Sequence, residues 1–162
     1  MCRPEERLRD GQGRAIRYLR VSVTDRCNLR CRYCMPEDGV EWMDHSALLS
    51  YEQITRLVGL FARLGVEKVR LTGGEPLVRR DLHRLTAAVS GTPAIREVAV
   101  TTNGVLLAEQ LPGLVEAGLT GVNMSLDTLD REQFAAITRR DRLPAALAGL
   151  EAALAVPGLK VK

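Results

Sequence analysis

The 162-residue chain is poor in aromatic side chains, in histidine and in long apolar runs. Aromatic residues make up 4% of it and histidine occurs twice. So few rings offer little stacking surface for bases, and a net charge of +3 is too small to indicate a nucleic-acid partner. No apolar run approaches the about 20 residues that span a bilayer, and the charged start MCRPEERLRDGQGR is not a signal sequence. We therefore expect a cytoplasmic protein that binds neither nucleic acid nor membrane.

Cysteine is also scarce, and its placement argues against a disulfide framework. The chain has four cysteines, of which Cys2 stands alone while Cys27, Cys31 and Cys34 lie within eight residues. Thiols this close together cannot connect distant parts of a fold. With 46% hydrophobic and 27% charged residues, the composition is that of a globular protein, and we expect residues 1–162 to form one domain.

Strand-like and helix-like segments alternate along the chain. The best-marked helix follows Ser50 and Gln53, a capping-box pair, and its apolar residues recur at helical spacing up to Gly65. About four βα units followed by one strand predict a parallel sheet. The alternative is an antiparallel sheet with one solvent-exposed face. We predict strands at 18–23, 66–72, 97–101, 121–126 and from 159, and further helices at 80–89, 106–117 with a potential break at Pro112, 130–137 and 145–155.

The predicted strands have one apolar face and one polar face, since successive side chains point to opposite sides of a sheet. We expect the apolar face to pack against the helices. A polar interior face indicates a wide, partly open barrel that holds a polar ligand. The apolar set is Leu19, Val21, Val23, Val69, Leu71, Val98, Val100, Val122, Met124, Leu126, Leu159 and Val161; the polar set is Arg20, Ser22, Arg70, Thr72, Thr101, Asn123, Ser125, Lys160 and Lys162.

Each predicted strand runs into a distinctive polar or glycine-rich stretch. These stretches are the cysteine loop, TGGEP at 72–76, TTNG at 101–104 and SLD at 125–127. Because the carboxyl ends of parallel strands open onto one face, we expect the functional site there.

The three clustered thiols predict a metal centre. Thiolates suit zinc or iron–sulfur clusters, and we expect Arg26, Arg30 and Arg32 to favour the deprotonated thiols. A structural zinc site uses four ligands, whereas a [4Fe–4S] cluster held by three cysteines keeps one iron free of protein ligands. A Cys3His zinc site that includes His45, and chance clustering of buried thiols, are the alternatives.

Taken together, these motifs resemble those of the radical S-adenosylmethionine (SAM) superfamily. CNLRCRYC is similar to its cluster motif, TGGEP to its glycine motif and SLD to its contact on the fourth strand. The resemblance implies an α/β fold, the partial (βα)6 TIM-type barrel, here reaching about four βα units and the start of strand 5. Within the superfamily, VTDRCNLRCRYCMPEDG, VRLTGGEPLVRRDL, TTNG and VNMSLDTLD resemble the GTP 3′,8-cyclases of molybdenum-cofactor synthesis.

The resemblance implies the cofactors and their binding residues. A [4Fe–4S] cluster would bind SAM through its open iron, and one-electron reduction would cleave SAM to a radical. No residue is assigned a catalytic role. The implied cluster ligands are Cys27, Cys31 and Cys34, and the implied SAM contacts are Tyr33, Gly73, Gly74, Glu75 and Ser125.

The resemblance also implies the substrate and the partners. GTP would contact Arg20, Arg70, Thr101 and Lys162, and hydrogen removal at C3′ would lead to closure onto C8 of guanine. A one-electron reductant protein, the next enzyme (cyclic pyranopterin monophosphate synthase) and a homodimer are the implied partners. The subfamily carries a second three-cysteine cluster in a C-terminal region that these 162 residues do not include. Another radical SAM enzyme that matures peptides or cofactors, and a non-catalytic zinc domain, are the alternative functions.

Overall fold

The computed structural model describes residues 7–162, apart from the side chain of His45. Cys2 and that side chain therefore lie outside the described part. Five strands form one sheet in the order in which they occur along the chain. All four neighbouring pairs are parallel, which confirms the predicted sheet and makes the antiparallel alternative wrong. The strands are β1 (Tyr18–Ser22), β2 (Lys68–Thr72), β3 (Glu97–Thr102), β4 (Gly121–Met124) and β5 (Lys160–Val161).

Five helices connect these strands. The predicted capping box is present, because the Ser50 hydroxyl accepts from Gln53 N at 3.2 Å and Gln53 Oε1 accepts from Ser50 N at 2.8 Å. Pro112 lies inside a continuous helix, so the potential break does not occur. No helix among residues 7–162 has both the length and the apolar character needed to cross a membrane. The helices are α1 (Tyr51–Arg63), α2 (Leu82–Ser90), α3 (Leu107–Glu116), α4 (Arg131–Thr138) and α5 (Leu143–Leu154).

The main hydrophobic core lies between the sheet and helices α1 to α3, as the strand pattern predicts, and Ala153 of α5 also contributes to it. The Val and Leu residues of β2, β3 and β4 are at most 2% exposed, whereas Met124 at the end of β4 is partly buried against the same core. Val21 and Leu19 on the edge strand β1 are half-buried against the same core. β4 ends at Met124, two residues earlier than predicted. The fully buried apolar side chains of the strands are Val69, Leu71, Val98, Val100 and Val122.

A second, smaller core lies beneath the cysteine loop. Leu29 from the loop packs with Phe134 of α4 and with Leu143 and Ala146 of α5. Cys27 and Cys31 pack against this cluster. The two helices after β4 therefore support the loop that carries the thiols.

Candidate cofactor site

A cavity of about 190 Å³ opens at the carboxyl ends of the strands. All four motifs that follow the predicted strands contribute to its lining, which confirms their expected convergence. Phe134 and Thr138 of α4 complete the wall. The lining residues from the motifs are Cys27, Leu29, Cys31, Tyr33 and Cys34; Thr72, Gly73, Gly74 and Glu75; Thr101, Thr102 and Asn103; Ser125 and Asp127.

The end of α4 holds the cysteine loop through its backbone. Arg30 N donates to Thr138 O at 2.9 Å, and Arg32 N donates to Ile137 O at 3.0 Å. The Arg139 guanidinium donates to the carbonyls of Arg30 and Met35 at 3.0 and 3.1 Å. The sequence analysis missed Arg139, because no local pattern signals a contact that spans more than a hundred residues.

Burial controls the protonation of two of the three thiols. It raises the pKa of Cys27, and the nearby Arg30 charge lowers that pKa by less. Burial also raises the pKa of Cys31. The Arg30 guanidinium donates to the carbonyls of Cys27 and Leu29 instead, at 2.8 and 2.9 Å. Arg30 therefore favours the deprotonated form of Cys27, as expected, but burial has the larger effect on its pKa. Bound iron itself would displace the thiol protons.

Gly73 and Gly74 let the end of β2 approach the start of the cysteine loop. Gly73 has φ 144°, and a Cβ there would lie 2.2 Å from Thr24 O. A Cβ on Gly74 would lie 2.4 Å from Arg26 O. Gly74 N donates to Thr24 O and Glu75 N to Arg26 O, each at 2.8 Å. These glycines are required for backbone packing, whatever they contribute to ligand binding.

Glu75 is buried and hydrogen-bonded to its own chain. It is 1% exposed. Its Oε1 accepts from Thr102 Oγ1 at 2.7 Å and from Leu77 N at 3.0 Å, and its Oε2 accepts from Asn103 N at 2.7 Å. Burial raises its pKa, while these three donors act in the opposite direction. The carboxylate thus connects TGGEP to TTNG and keeps about one of its four lone-pair positions for a ligand.

Two further contacts cross the cavity, and neither was predicted. Asn103 Nδ2 donates to Asn28 Oδ1 at 2.7 Å. Tyr33 donates its hydroxyl hydrogen to Asp127 Oδ2 at 2.7 Å, and this bond raises the pKa of Tyr33. Asn103 and Asp127 belong to motifs that the sequence singled out, but only the fold shows what they contact.

The four residues expected to contact substrate lie on the polar face of the sheet. Arg20 and Arg70 are register partners. Thr101, opposite Asn123, lines the cavity, whereas the other three residues lie outside its lining. Lys162 follows β5 and donates its backbone N–H to Val122 O at 3.0 Å.

Two polar atoms on this face are buried without a hydrogen-bond partner. They are Arg70 Nε and Thr101 Oγ1. The Arg70 guanidinium stacks on the Tyr18 ring, with its Cζ 5.2 Å from the ring centroid. This contact fixes the position of the guanidinium. Unpaired buried polar atoms are uncommon in folded proteins, and a polar ligand or water on this face would pair with both.

Three thiols that line one cavity have the soft-donor chemistry that an iron–sulfur cluster requires. Among the side chains that the structure describes, which do not include that of His45, no three His, Cys, Asp or Glu groups converge as the ligands of one ion would. A single zinc ion needs four converging donors, whereas each thiolate of a cubane cluster binds a different iron. The three thiols on one cavity, next to the close glycine turn, meet that requirement.

The comparison with curated proteins finds relatives at about half identity. A GTP 3′,8-cyclase of Stenotrophomonas maltophilia is 50% identical over 156 residues, which are 95% of this chain and 48% of the relative. One from Mycolicibacterium smegmatis is 54% identical over 91% of this chain and 41% of the relative. The molybdenum cofactor biosynthesis protein moc-5 of Caenorhabditis elegans is 54% identical over 76% of this chain and 21% of its own. The chain spans about half the length of the bacterial relatives or less.

Solved structures share the fold at low identity. The anSMEcpe structure with bound AdoMet has a TM-score of 0.66 and 18% identity, over 83% of this chain and 40% of that one. HydG, a maturase of the [FeFe]-hydrogenase, has a TM-score of 0.64 and 18% identity, over 83% of this chain and 32% of that one. These matches confirm the expected α/β fold of partial TIM-barrel type.

The family assignment follows from a match along most of the chain. Residues 21–157 match the Radical SAM superfamily model. This range contains the cysteine loop, the glycine turn and every other motif that lines the cavity. The chain belongs to the radical SAM superfamily.

Proposed function

We propose that the chain forms the cluster- and SAM-binding part of a GTP 3′,8-cyclase, the first enzyme of molybdenum-cofactor synthesis. The observation that carries the proposal is that the three thiols and the TGGEP turn meet in one cavity. A polar sheet face with two unpaired buried atoms adjoins this cavity. The names of relatives at 50% and 54% identity support this substrate.

The cavity residues would hold the cofactors. Cys27, Cys31 and Cys34 would bind a [4Fe–4S] cluster. Together with SAM, the cluster supplies the one-electron chemistry that opens the reaction. The residues around it would position SAM: Tyr33, Gly73, Gly74, Glu75 and Ser125, all on the cavity wall.

The polar sheet face would hold the nucleotide. Arg20, Arg70 and Lys162 are cations suited to a triphosphate. Thr101 lies where this face meets the cavity. A buried polar group without a partner costs about 1–3 kcal/mol. A phosphate or hydroxyl that pairs with Arg70 Nε and Thr101 Oγ1 would remove that cost and bring the ribose to the edge of the cofactor cavity.

The proposal also includes three partners: a reductant protein, the next enzyme of the synthesis and a second copy of the chain. An electron must reach the cluster from a reductant protein, and the cyclised nucleotide must pass to cyclic pyranopterin monophosphate synthase. A homodimer is also part of the proposal.

GTP binding to the anaerobically reconstituted chain tests the proposed substrate. We expect Arg70→Ala to weaken binding about tenfold or more, because a hydrogen bond to a charged group contributes about 1.5–3 kcal/mol. Arg96→Ala is the control, since Arg96 is exposed and precedes β3 at the opposite end of the sheet. A chain that contains the cluster and binds SAM but not GTP would overturn the proposal in favour of another radical SAM activity.

A further inference from the structure

We infer that Asn103 is a positioning residue for the iron–sulfur cluster, acting through Asn28 on the cysteine loop. The inference rests on the proposed function, since it requires that Cys27 bind iron. It concerns the residues of this chain that hold the first cysteine in place.

The hydrogen bonds of the Asn103 side chain fix which way its amide group points. Its Oδ1 accepts from Val105 N at 3.1 Å, and its Nδ2 donates to Asn28 Oδ1 at 2.7 Å. A rotated amide would place oxygen against oxygen at Asn28 and a donor against a donor at Val105. Asn103 is only 8% exposed, so water cannot readily replace these partners. The amide donor must therefore face the cysteine loop.

The backbone of Asn103 is fixed from the other side. Its N–H donates to Glu75 Oε2 at 2.7 Å. Glu75 Oε1 also accepts from Thr102 Oγ1 at 2.7 Å. A continuous path of hydrogen bonds therefore runs from the TGGEP turn, through the end of β3, to the residue after Cys27. We call Glu75, Asn103 and Asn28 the loop brace.

The sulfur of Cys27 lies beside the loop brace. Asn103 Nδ2 lies 4.0 Å from Cys27 Sγ, the outer limit for a sulfur acceptor. Leu29 N donates to the same sulfur at 3.4 Å. Donors near a ligating sulfur stabilise the cluster and affect its electronic state, and groups that orient a ligand typically change metal affinity by about 10–100-fold. Asn103 acts mainly by holding Asn28 in place, and Asn28 in turn sets the direction of the neighbouring Cys27 side chain.

Asn103→Asp removes the amide donor, keeps the acceptor oxygen and adds a negative charge. The carboxylate keeps the oxygen that accepts from Val105 N but replaces the amide donor with an oxygen that faces Asn28 Oδ1. We expect the reconstituted variant to release iron to a chelator about tenfold faster than the wild type. We also expect an altered electron-spin resonance spectrum of the reduced cluster, which a general loss of stability would not produce.

Gln110→Glu is the matched control. It makes the same amide-to-acid change on the neighbouring helix, where Gln110 Nε2 donates to Leu77 O at 2.9 Å, away from the thiols. We expect wild-type iron release and a wild-type spectrum. Asn28→Ala removes the acceptor without adding a charge, so it provides the test if Asn103→Asp fails to fold.

The outcomes separate this inference from the proposed function. Wild-type release and spectrum in both Asn103→Asp and Asn28→Ala would overturn the loop brace and leave the proposed function intact. A wild-type chain that takes up no cluster would overturn the proposed function itself. Faster release in both variants, with no further increase in the double variant, would support one shared path.

Discussion

Gly74 lies where the cysteine loop passes closest to the end of β2. A Cβ at this position would meet Arg26 O at 2.4 Å and Asp25 O at 2.5 Å, both backbone atoms that cannot turn away. We predict that Gly74→Ala lowers the free energy of unfolding by about 1–3 kcal/mol, the range for overpacking a close contact. Urea denaturation of the cluster-free chain measures this change without involving iron.

Gly59→Ala is the control for that prediction. Gly59 lies within α1, and a Cβ there meets no heavy atom within 4 Å. Alanine in a helix is more favourable than glycine by about 0.5–1 kcal/mol, so this variant should be stabilised. Equal effects of the two substitutions would show that the close approach at Gly74 is not required.

For single residues, the sequence predicted which residues line the cavity better than it predicted what each of them contacts. The three cysteines and the two glycines meet at the cavity because of motifs that can be read directly. Glu75 was expected to face a ligand, yet three donors of its own chain bind its carboxylate. That pairing depends on how the ends of β2 and β3 align in space, which no local spacing encodes.

At the level of single helices and strands, helix α1 begins at a capping box. Ser50 Oγ is the acceptor for Gln53 N. We predict that Ser50→Ala lowers the free energy of unfolding by about 1 kcal/mol, because it leaves an N–H of the first turn without a partner. Ser46→Ala, in which the lost hydroxyl bonds only a nearby aspartate in an exposed segment, should change the stability by less than about 0.5 kcal/mol. Similar losses in the two variants, measured by urea denaturation, would contradict the role of the cap.

Strong local signals made some elements predictable and left others uncertain. The cap and the helical spacing defined α1, and the alternation of Val and Leu defined the buried face of β2 and β3. Pro112 was expected as a potential break, yet α3 continues through it, because buried Leu107, Leu111 and Leu114 fix the helix on the core. Tertiary packing thus outweighed local propensity at that position.

For the whole molecule, the site depends on segments that are far apart in the sequence, and the contact of the cysteine loop with Arg139 spans 109 residues. The cysteine loop is fixed by α4, by the end of β2 and by the end of β3. A cluster that binds only the folded chain must stabilise it by mass action. We predict a higher midpoint of thermal unfolding for the reconstituted chain than for the iron-free chain, measured anaerobically by circular dichroism. Cys34→Ser, treated identically, should show no such increase; an equal increase in this variant would contradict the coupling.

Electron-spin resonance of the anaerobically reconstituted chain, recorded before and after SAM is added, tests the central claim most directly. The claim is that Cys27, Cys31 and Cys34 hold one [4Fe–4S] cluster whose open iron binds SAM. We predict a reduced-cluster signal that changes with SAM, that each single serine substitution at these positions abolishes, and that Cys2→Ser leaves intact. A signal that survives in any of the three loop variants, or that does not respond to SAM, would contradict the account.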